Sequence, residues 1–212
     1  MRKILILGAT GTFGKRLVKR LCDSDKNYHL TLVSRHATDC YDDNEQCHVV
    51  DCDATKVEKL RYIMKDCDVV YCAISGRELP IVASSIVSAM KETGVRRLIF
   101  MGAVGIYNEI PLDMDDEDNV RNNHEQVPNR EAVDIVENST LDYTILRPGY
   151  LQDGDKDDFA LTFKGEQAKG YISTISSVVE WAVRLIDNDS IYICQNASIT
   201  KDMSREQTQR KV

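Results

Sequence analysis

Short runs of consecutive apolar residues alternate with longer amphipathic stretches almost from one end of the chain to the other. The expected strands fall at residues 3–7, 29–33, 47–50, 69–73, 97–101, 143–146 and 191–193, and their near-continuous apolar character predicts a sheet covered on both faces. Between them, residues 12–22, 56–65, 80–93, 128–138 and 177–187 place apolar side chains at helical spacing. In the third of these stretches Gly94 follows the last periodic residue, where a left-handed stop belongs. Strand–helix–strand alternation of this kind predicts an α/β fold: a doubly wound parallel sheet, Rossmann-like, with helices on both faces. The expected layout is one unit over residues 1–200, a small substrate-side region around 150–176, and a polar tail over 201–212.

Two stretches depart from the alternation. Residues 109–125 carry Asp113, Asp115, Asp116, Glu117 and Asp118, which predicts a solvated loop, with a mobile lid as the alternative. From Thr200 onward the chain is polar and without period, which predicts a loosely held end. The remaining composition mainly excludes. No apolar stretch approaches a membrane span, and the run opening the chain is too short for a leader core. A net charge of −7 disfavours contact with phosphate backbones, so no nucleic-acid partner is expected. The seven cysteines form no CxxC pair and no zinc-type cluster, which predicts free thiols, a cytoplasmic location and no metal.

Ligands of such sheets bind beyond the carboxyl ends of the strands, so the residues following each strand carry the functional reading. After the first strand comes Gly8-Ala9-Thr10-Gly11-Thr12-Phe13-Gly14, directly before a helix. Gly8 permits a sharp turn out of the strand, Gly11 permits close approach of a pyrophosphate, and Gly14 permits the helix to pack. The helix N-terminus then favours the anion. Gly8, Thr10, Gly11, Thr12, Phe13 and Gly14 are therefore candidates for a nicotinamide dinucleotide. After the second strand stand Ser34 and Arg35, with no acid between His29 and Thr38 to accept from ribose hydroxyls. A guanidinium fork suits a 2′-phosphate, so NADP(H) is the expected cofactor, with NAD(H) the alternative. Asp53 and Ala54 follow the third strand; Asp53 suits either the adenine side or a helix cap. Ala73, Ile74 and Ser75 follow the fourth and are small enough to let backbone pass close to a ribose.

The Gly-x-x-Gly-x-x-Gly form, with Ala-Thr inside it, resembles the extended and atypical short-chain dehydrogenase/reductases. The segment from Leu141 to the Arg147-Pro148-Gly149 ending resembles the sixth strand of the same family. The resemblance runs along nearly the whole chain and is nearest to the small atypical members of the NmrA-like, flavin-reductase and biliverdin-reductase-B type. It implies that Asp53 lies beside the adenine, that Ala73 to Ser75 pass the ribose, and that Pro148 borders the nicotinamide. It also implies a Ser, a Tyr and a Lys for alcohol–ketone chemistry. Here those places fall on Ala103, Glu125 and Asn129, and no Tyr-x-x-x-Lys occurs between Tyr107 and Tyr143.

A phenol beside an ammonium gives a proton to a carbonyl as hydride moves, and these three residues lack that pairing. What the resemblance then implies is NADPH-dependent reduction of a conjugated acceptor (a flavin, a quinone or a linear tetrapyrrole) by direct hydride transfer. The alternative is a non-catalytic NADP(H) sensor that reports to a protein partner. Tyr107 and Tyr150 are substrate-side candidates, each equally readable as packing. Phe159, Phe163 and Tyr171 suit a pocket wall or a core, and the four scattered histidines receive no role.

Overall fold

The computed structural model describes residues 1–114, 116–155 and 159–203. Among these residues five α-helices and ten strands follow one another as β1 (Arg2–Leu7), α1 (Thr12–Cys22), β2 (Tyr28–Ser34), β3 (Cys47–Asp51), α2 (Val57–Ile63), β4 (Val69–Cys72), α3 (Leu79–Thr93), β5 (Arg97–Met101), α4 (Val127–Glu137), β6 (Asp142–Pro148), β7 (Tyr150–Gln152), β8 (Phe159–Phe163), β9 (Ile172–Thr174), α5 (Ile175–Asp187) and β10 (Gln195–Lys201).

Eight strands form one sheet in the order β3-β2-β1-β4-β5-β6-β10-β8. Every pair is parallel except β8, which runs antiparallel to β10 along one edge. The reversal of strand order between β1 and β4 leaves a crevice at their carboxyl ends, the place where such sheets take ligands. β7 and β9 form a separate parallel pair. The expected doubly wound α/β architecture is thus what the chain adopts.

Alternation along each strand divides the interior into two layers. Leu5 and Leu7 belong to the layer that also holds Leu60 of α2, Ile86 of α3 and Val133 of α4. Ile4 and Ile6 face α1 and α5, meeting Leu17, Leu21, Val178 and Ala182. β4 and β5 are buried at every residue, which explains the apolar sequence of β4 and of β5 after Arg97. Gly94 ends α3 with φ +76°, a left-handed turn that only glycine adopts cheaply. No helix among the described residues is long and apolar enough to cross a membrane.

Three expectations need correction. Residues 191–193 are not a strand. Tyr192 turns with φ +55° and packs its ring on Phe163 and edge-on to Trp181, at centroid distances of 6.0 and 5.3 Å. The strand lies just beyond, as β10, and continues through Thr200, which is fully buried. Its alternation escapes an apolar pattern because one face is polar: Asn196, Ser198 and Thr200 are buried, Asn196 and Ser198 in side-chain hydrogen bonds. The chain is still held at Met203, whose N–H donates to the Lys169 carbonyl at 2.9 Å; residues 204–212 lie outside the described range.

The acidic stretch 109–125 is not simply a solvated loop. Glu109, Ile110, Met114 and Asn119 are buried, and Asn119 exchanges two hydrogen bonds with the Ile110 backbone, at 2.8 and 3.1 Å. Asp116 binds Arg121, and the Val120 N–H donates to the Gly105 carbonyl. Asp115 lies outside the described residues.

Candidate functional site

A cavity of about 550 Å³ opens beyond the carboxyl ends of β1, β2, β3 and β4, at the point where strand order reverses. Its floor is the glycine turn. Gly8 leaves β1 with φ +83°, and a Cβ there would stand 3.0 Å from the Ala73 carbonyl carbon and oxygen. The Gly8 N–H donates to Val33 at the end of β2, and Gly11 N–H closes the turn onto the Gly8 carbonyl at 3.0 Å. Gly11 then serves as N-cap of α1 with no side chain capping the helix and no acid in its first turn. The first N–H groups of α1 and its positive end are thus left for an anion at the turn. A Cβ on Gly11 would meet only the Gly8 carbonyl oxygen, at 3.3 Å, so no other protein atom lies close before it.

One wall follows β2 and β3. Ser34 ends β2 with a buried hydroxyl that has no partner among the described residues. Arg35 and His36 come next, exposed at the cavity rim. Asp51 holds this segment to β3 by accepting the Thr38 N–H at 3.0 Å and its hydroxyl at 2.6 Å, bonds that lower its carboxyl pKa below the ordinary range. Farther along the same loop, the Tyr41 hydroxyl donates to the Ala9 carbonyl at 2.9 Å. Asp53 accepts the N–H and hydroxyl of Thr55 at 2.9 and 2.8 Å. Those bonds, the backbone one first, keep its carboxyl low, with Lys56 and Arg35 adding to the effect. The opposite wall is Ala73, Ile74, Ser75 and Gly76 after β4, continuing to Arg77 and Val82.

The cavity gathers Gly8, Thr10, Gly11, Ser34, Arg35, Asp53, Ala54, Ala73, Ile74 and Ser75. The other residues of the turn are placed differently. Thr12 is exposed on the first turn of α1. Phe13 is a core residue: it is buried, and its ring stacks on Tyr71 with centroids 5.8 Å apart. Gly14 backs onto the Gly8 carbonyl instead of lining the cavity, and Pro148 is buried with its carbonyl accepting Val104 N–H at 2.9 Å. Lining residues that sequence reasoning missed include Val33, Cys52, Thr55 and Arg77. Thr55 was readable as the partner of an Asx turn from Asp53; Arg77 carries no local signal.

Arg77 pairs with Glu125 at 2.9 Å, an exposed link from the β4–α3 loop to the turn before α4. Glu125 is the residue that the sequence resemblance puts at the Tyr place. Asn129, at the Lys place, donates to Gln126 at 2.9 Å. Ala103 is half-buried against the core layer under α4.

Neither substrate-side tyrosine lines the cavity. Tyr150 is 66% exposed on β7. Tyr107 is half-buried among charges: Arg130, Lys164 and Arg147 lie 4.5, 4.8 and 5.2 Å from its ring centroid. Its hydroxyl donates to Glu137 at 3.2 Å and accepts from Asn196 at 2.9 Å. Burial, followed by the Glu137 carboxylate, raises its pKa well above that of a free phenol. Below it Arg147, 1% exposed, pairs with Glu109, 5% exposed. Burial brings the guanidinium down to about 10. This cluster ties the loop after β5 to α4, β6 and β10. Phe159, Phe163 and Tyr171 are likewise packing residues, against Trp181, Tyr192 and the small cluster of Val104, Ile110 and Met114 respectively.

A family model described as NAD(P)H-binding matches residues 8–189. A Rossmann-fold NAD(P)-binding family protein from Shigella flexneri is 31% identical over 95% of this chain and 94% of its own, with a TM-score of 0.79. A short-chain dehydrogenase/reductase from Veillonella parvula, solved in complex with NADP, is 23% identical over 94% of each chain, with a TM-score of 0.83. An anaerobillin reductase from Escherichia coli O157:H7 is 18% identical over 94% of this chain and 97% of its own, with a TM-score of 0.77. At these identities the last two speak for the fold alone. No curated protein sequence matches the chain. The glycine turn, the cavity at the point where strand order reverses, and the match over residues 8–189 together make this chain a member of the NAD(P)H-binding family of Rossmann-fold proteins.

Proposed function

We propose that the chain is an NADPH-dependent reductase of a conjugated acceptor such as a flavin or a quinone, working without a Ser-Tyr-Lys set. The observation that carries this reading is a contrast between the two ends of the site. At the dinucleotide end the donors suit a phosphorylated ligand: the uncapped start of α1, the unpartnered Ser34 hydroxyl and the Arg35 guanidinium. At the other end Ala103 has no hydroxyl, while Glu125 and Asn129 are engaged with Arg77 and Gln126.

The bound cofactor would supply the hydride. The chain's own part is to hold its phosphates on the α1 N–H groups, seat its ribose against Ala73 and Ser75, and fix its orientation. A conjugated ring takes hydride at carbon or nitrogen and draws its proton from water, so no phenol is demanded of the protein. The same contrast also favours a second reading, an NADP(H) sensor that reports to a protein partner.

Steady NADPH oxidation with FMN or a quinone, lost in Gly11→Val, is the expected result. Tight cofactor binding with no turnover across such a panel would instead favour the sensor. Arg35→Ala should weaken NADP(H) by ~1.5–3 kcal/mol, the range of a charge-assisted contact, and leave NAD(H) unchanged. Equal loss for both cofactors in fluorescence titrations would remove the 2′-phosphate role from Arg35.

A further inference from the structure

All seven cysteines are free thiols, yet two of them, 25 positions apart in sequence, meet. Cys22 ends α1, Cys47 opens β3, and their sulfurs are 3.8 Å apart. That is van der Waals contact between sulfurs, short of a bond but close enough for small side-chain rotations to make one. We propose that Cys22 and Cys47 are a redox modification site, closing to an intramolecular disulfide under a peroxide or a small disulfide oxidant and reopening with thiol reductant.

The two thiols differ as an attacking and a resolving group should. Cys22 is half-buried at the last residue of α1, partly open to a small oxidant. Cys47 is buried, and burial pushes its thiol up to about 12, so it does not react first. With peroxide, the Cys22 sulfur attacks one oxygen, giving a sulfenic acid and one water. The Cys47 sulfur then displaces the hydroxyl as a second water, so two thiols lose two electrons and two protons to the oxidant. With glutathione disulfide, the same two electrons release two glutathione thiols.

The consequence follows from what the new ring encloses. Residues 22 to 47 contain β2, Ser34, Arg35 and the loop whose Tyr41 packs against the same core cluster as both cysteines and donates to the Ala9 carbonyl. Oxidation would therefore fix the Arg35-bearing segment at both ends. The inference does not depend on what the cavity binds or on whether the chain turns over.

The folded full chain should be treated with hydrogen peroxide or with glutathione disulfide, then denatured and its thiols counted with a maleimide. The expected count is two fewer than the reduced seven, restored by dithiothreitol. Trypsin should then release the peptide 21–26 linked to 36–56, with fragmentation assigning the bond to Cys47 rather than to Cys40 or Cys52. Cys22→Ser and Cys47→Ala should each abolish the linkage, and Cys40→Ser should leave it. The half-buried Cys22 gives the gentler of the two variants, so the test does not rest on Cys47→Ala folding. An unchanged thiol count at doses that oxidise free glutathione would overturn the proposal. So would a bond placed at Cys40, an intermolecular bond through exposed Cys194, or a persistent glutathione adduct in place of the linkage.

Discussion

Replacing Glu109 by alanine should cost the fold about 3–5 kcal/mol, the penalty of leaving a buried charge without its partner. Arg147 cannot reach water: it is 1% exposed, at the end of β6 beneath Tyr107. Its Nε keeps the bond to Asn196 at 2.6 Å after the substitution, but the countercharge is gone. The other Glu109 oxygen accepts the Tyr107 N–H at 2.8 Å, so a backbone donor in the same turn is orphaned as well. An exposed pair makes the contrast. Arg77 and Glu125 have side chains 83% and 70% exposed, and removing either should change stability by under about 1 kcal/mol. The double variant Glu109→Leu/Arg147→Met should recover most of the loss, since the pair's value lies in not being broken rather than in its gross attraction. Urea denaturation of the singles and the double closes the cycle. A Glu109→Ala loss below about 1 kcal/mol would mean that water or another group already satisfies Arg147.

That pair also marks where sequence reading stops. Strands β1 and β4 to β6 were legible because burial on both faces leaves near-continuous apolar runs, and the half-buried β2 and β3 because enough apolar residues remain on their inner face. The glycine turn was legible because its three glycines sit between a strand and an amphipathic helix. The cavity-lining residues after β2, β3 and β4 followed from one topological rule, that such sheets bind beyond their strand ends. Glu109 looked like one more acid in an acidic stretch, because its partner lies on β6 and only folding brings them together. β10 was invisible for a related reason. Asn196 and Ser198 find their partners in Arg147 and Thr162, so its buried face is polar. Phe13 was read from its position in the motif, which says nothing of its ring; the ring goes to the core, stacked on Tyr71. Tyr107 stayed open between substrate side and packing, because its neighbours come from β6, α4 and β10 and only folding brings them to it. Gly149 shows the reverse case: a residue quoted for its motif has a steric reason, since a Cβ there would stand 2.2 Å from the Tyr171 carbonyl oxygen that meets Tyr150 N–H.

Gly14→Ala should lose about 3 kcal/mol or more of stability and most of its cofactor affinity together, at the upper end of what overpacking costs. The added Cβ would lie 2.1 Å from the Gly8 carbonyl oxygen and 3.0 Å from Ala9 Cα and carbonyl carbon. All three are backbone atoms, so no side chain can swing away. Relief requires roughly an ångström of separation between the turn and α1 before ordinary contact returns. Moving the turn breaks the Gly11-to-Gly8 hydrogen bond that shapes it. Moving the helix slides Phe13 off Tyr71 and lifts Leu17 and Leu21 from the layer they fill. Either way the N–H groups at the start of α1 no longer point where the turn directs a phosphate. Gly11→Val separates the two effects. Its Cβ meets only the Gly8 carbonyl oxygen at 3.3 Å, and its φ of −69° suits any residue, so that variant should melt near the parent while failing to bind NADPH. Thermal melts paired with NADPH fluorescence titrations read both. A Gly14→Ala protein that melts like the parent would show that the turn and helix can part without cost, and the tight packing argued from Gly14 would have to be abandoned.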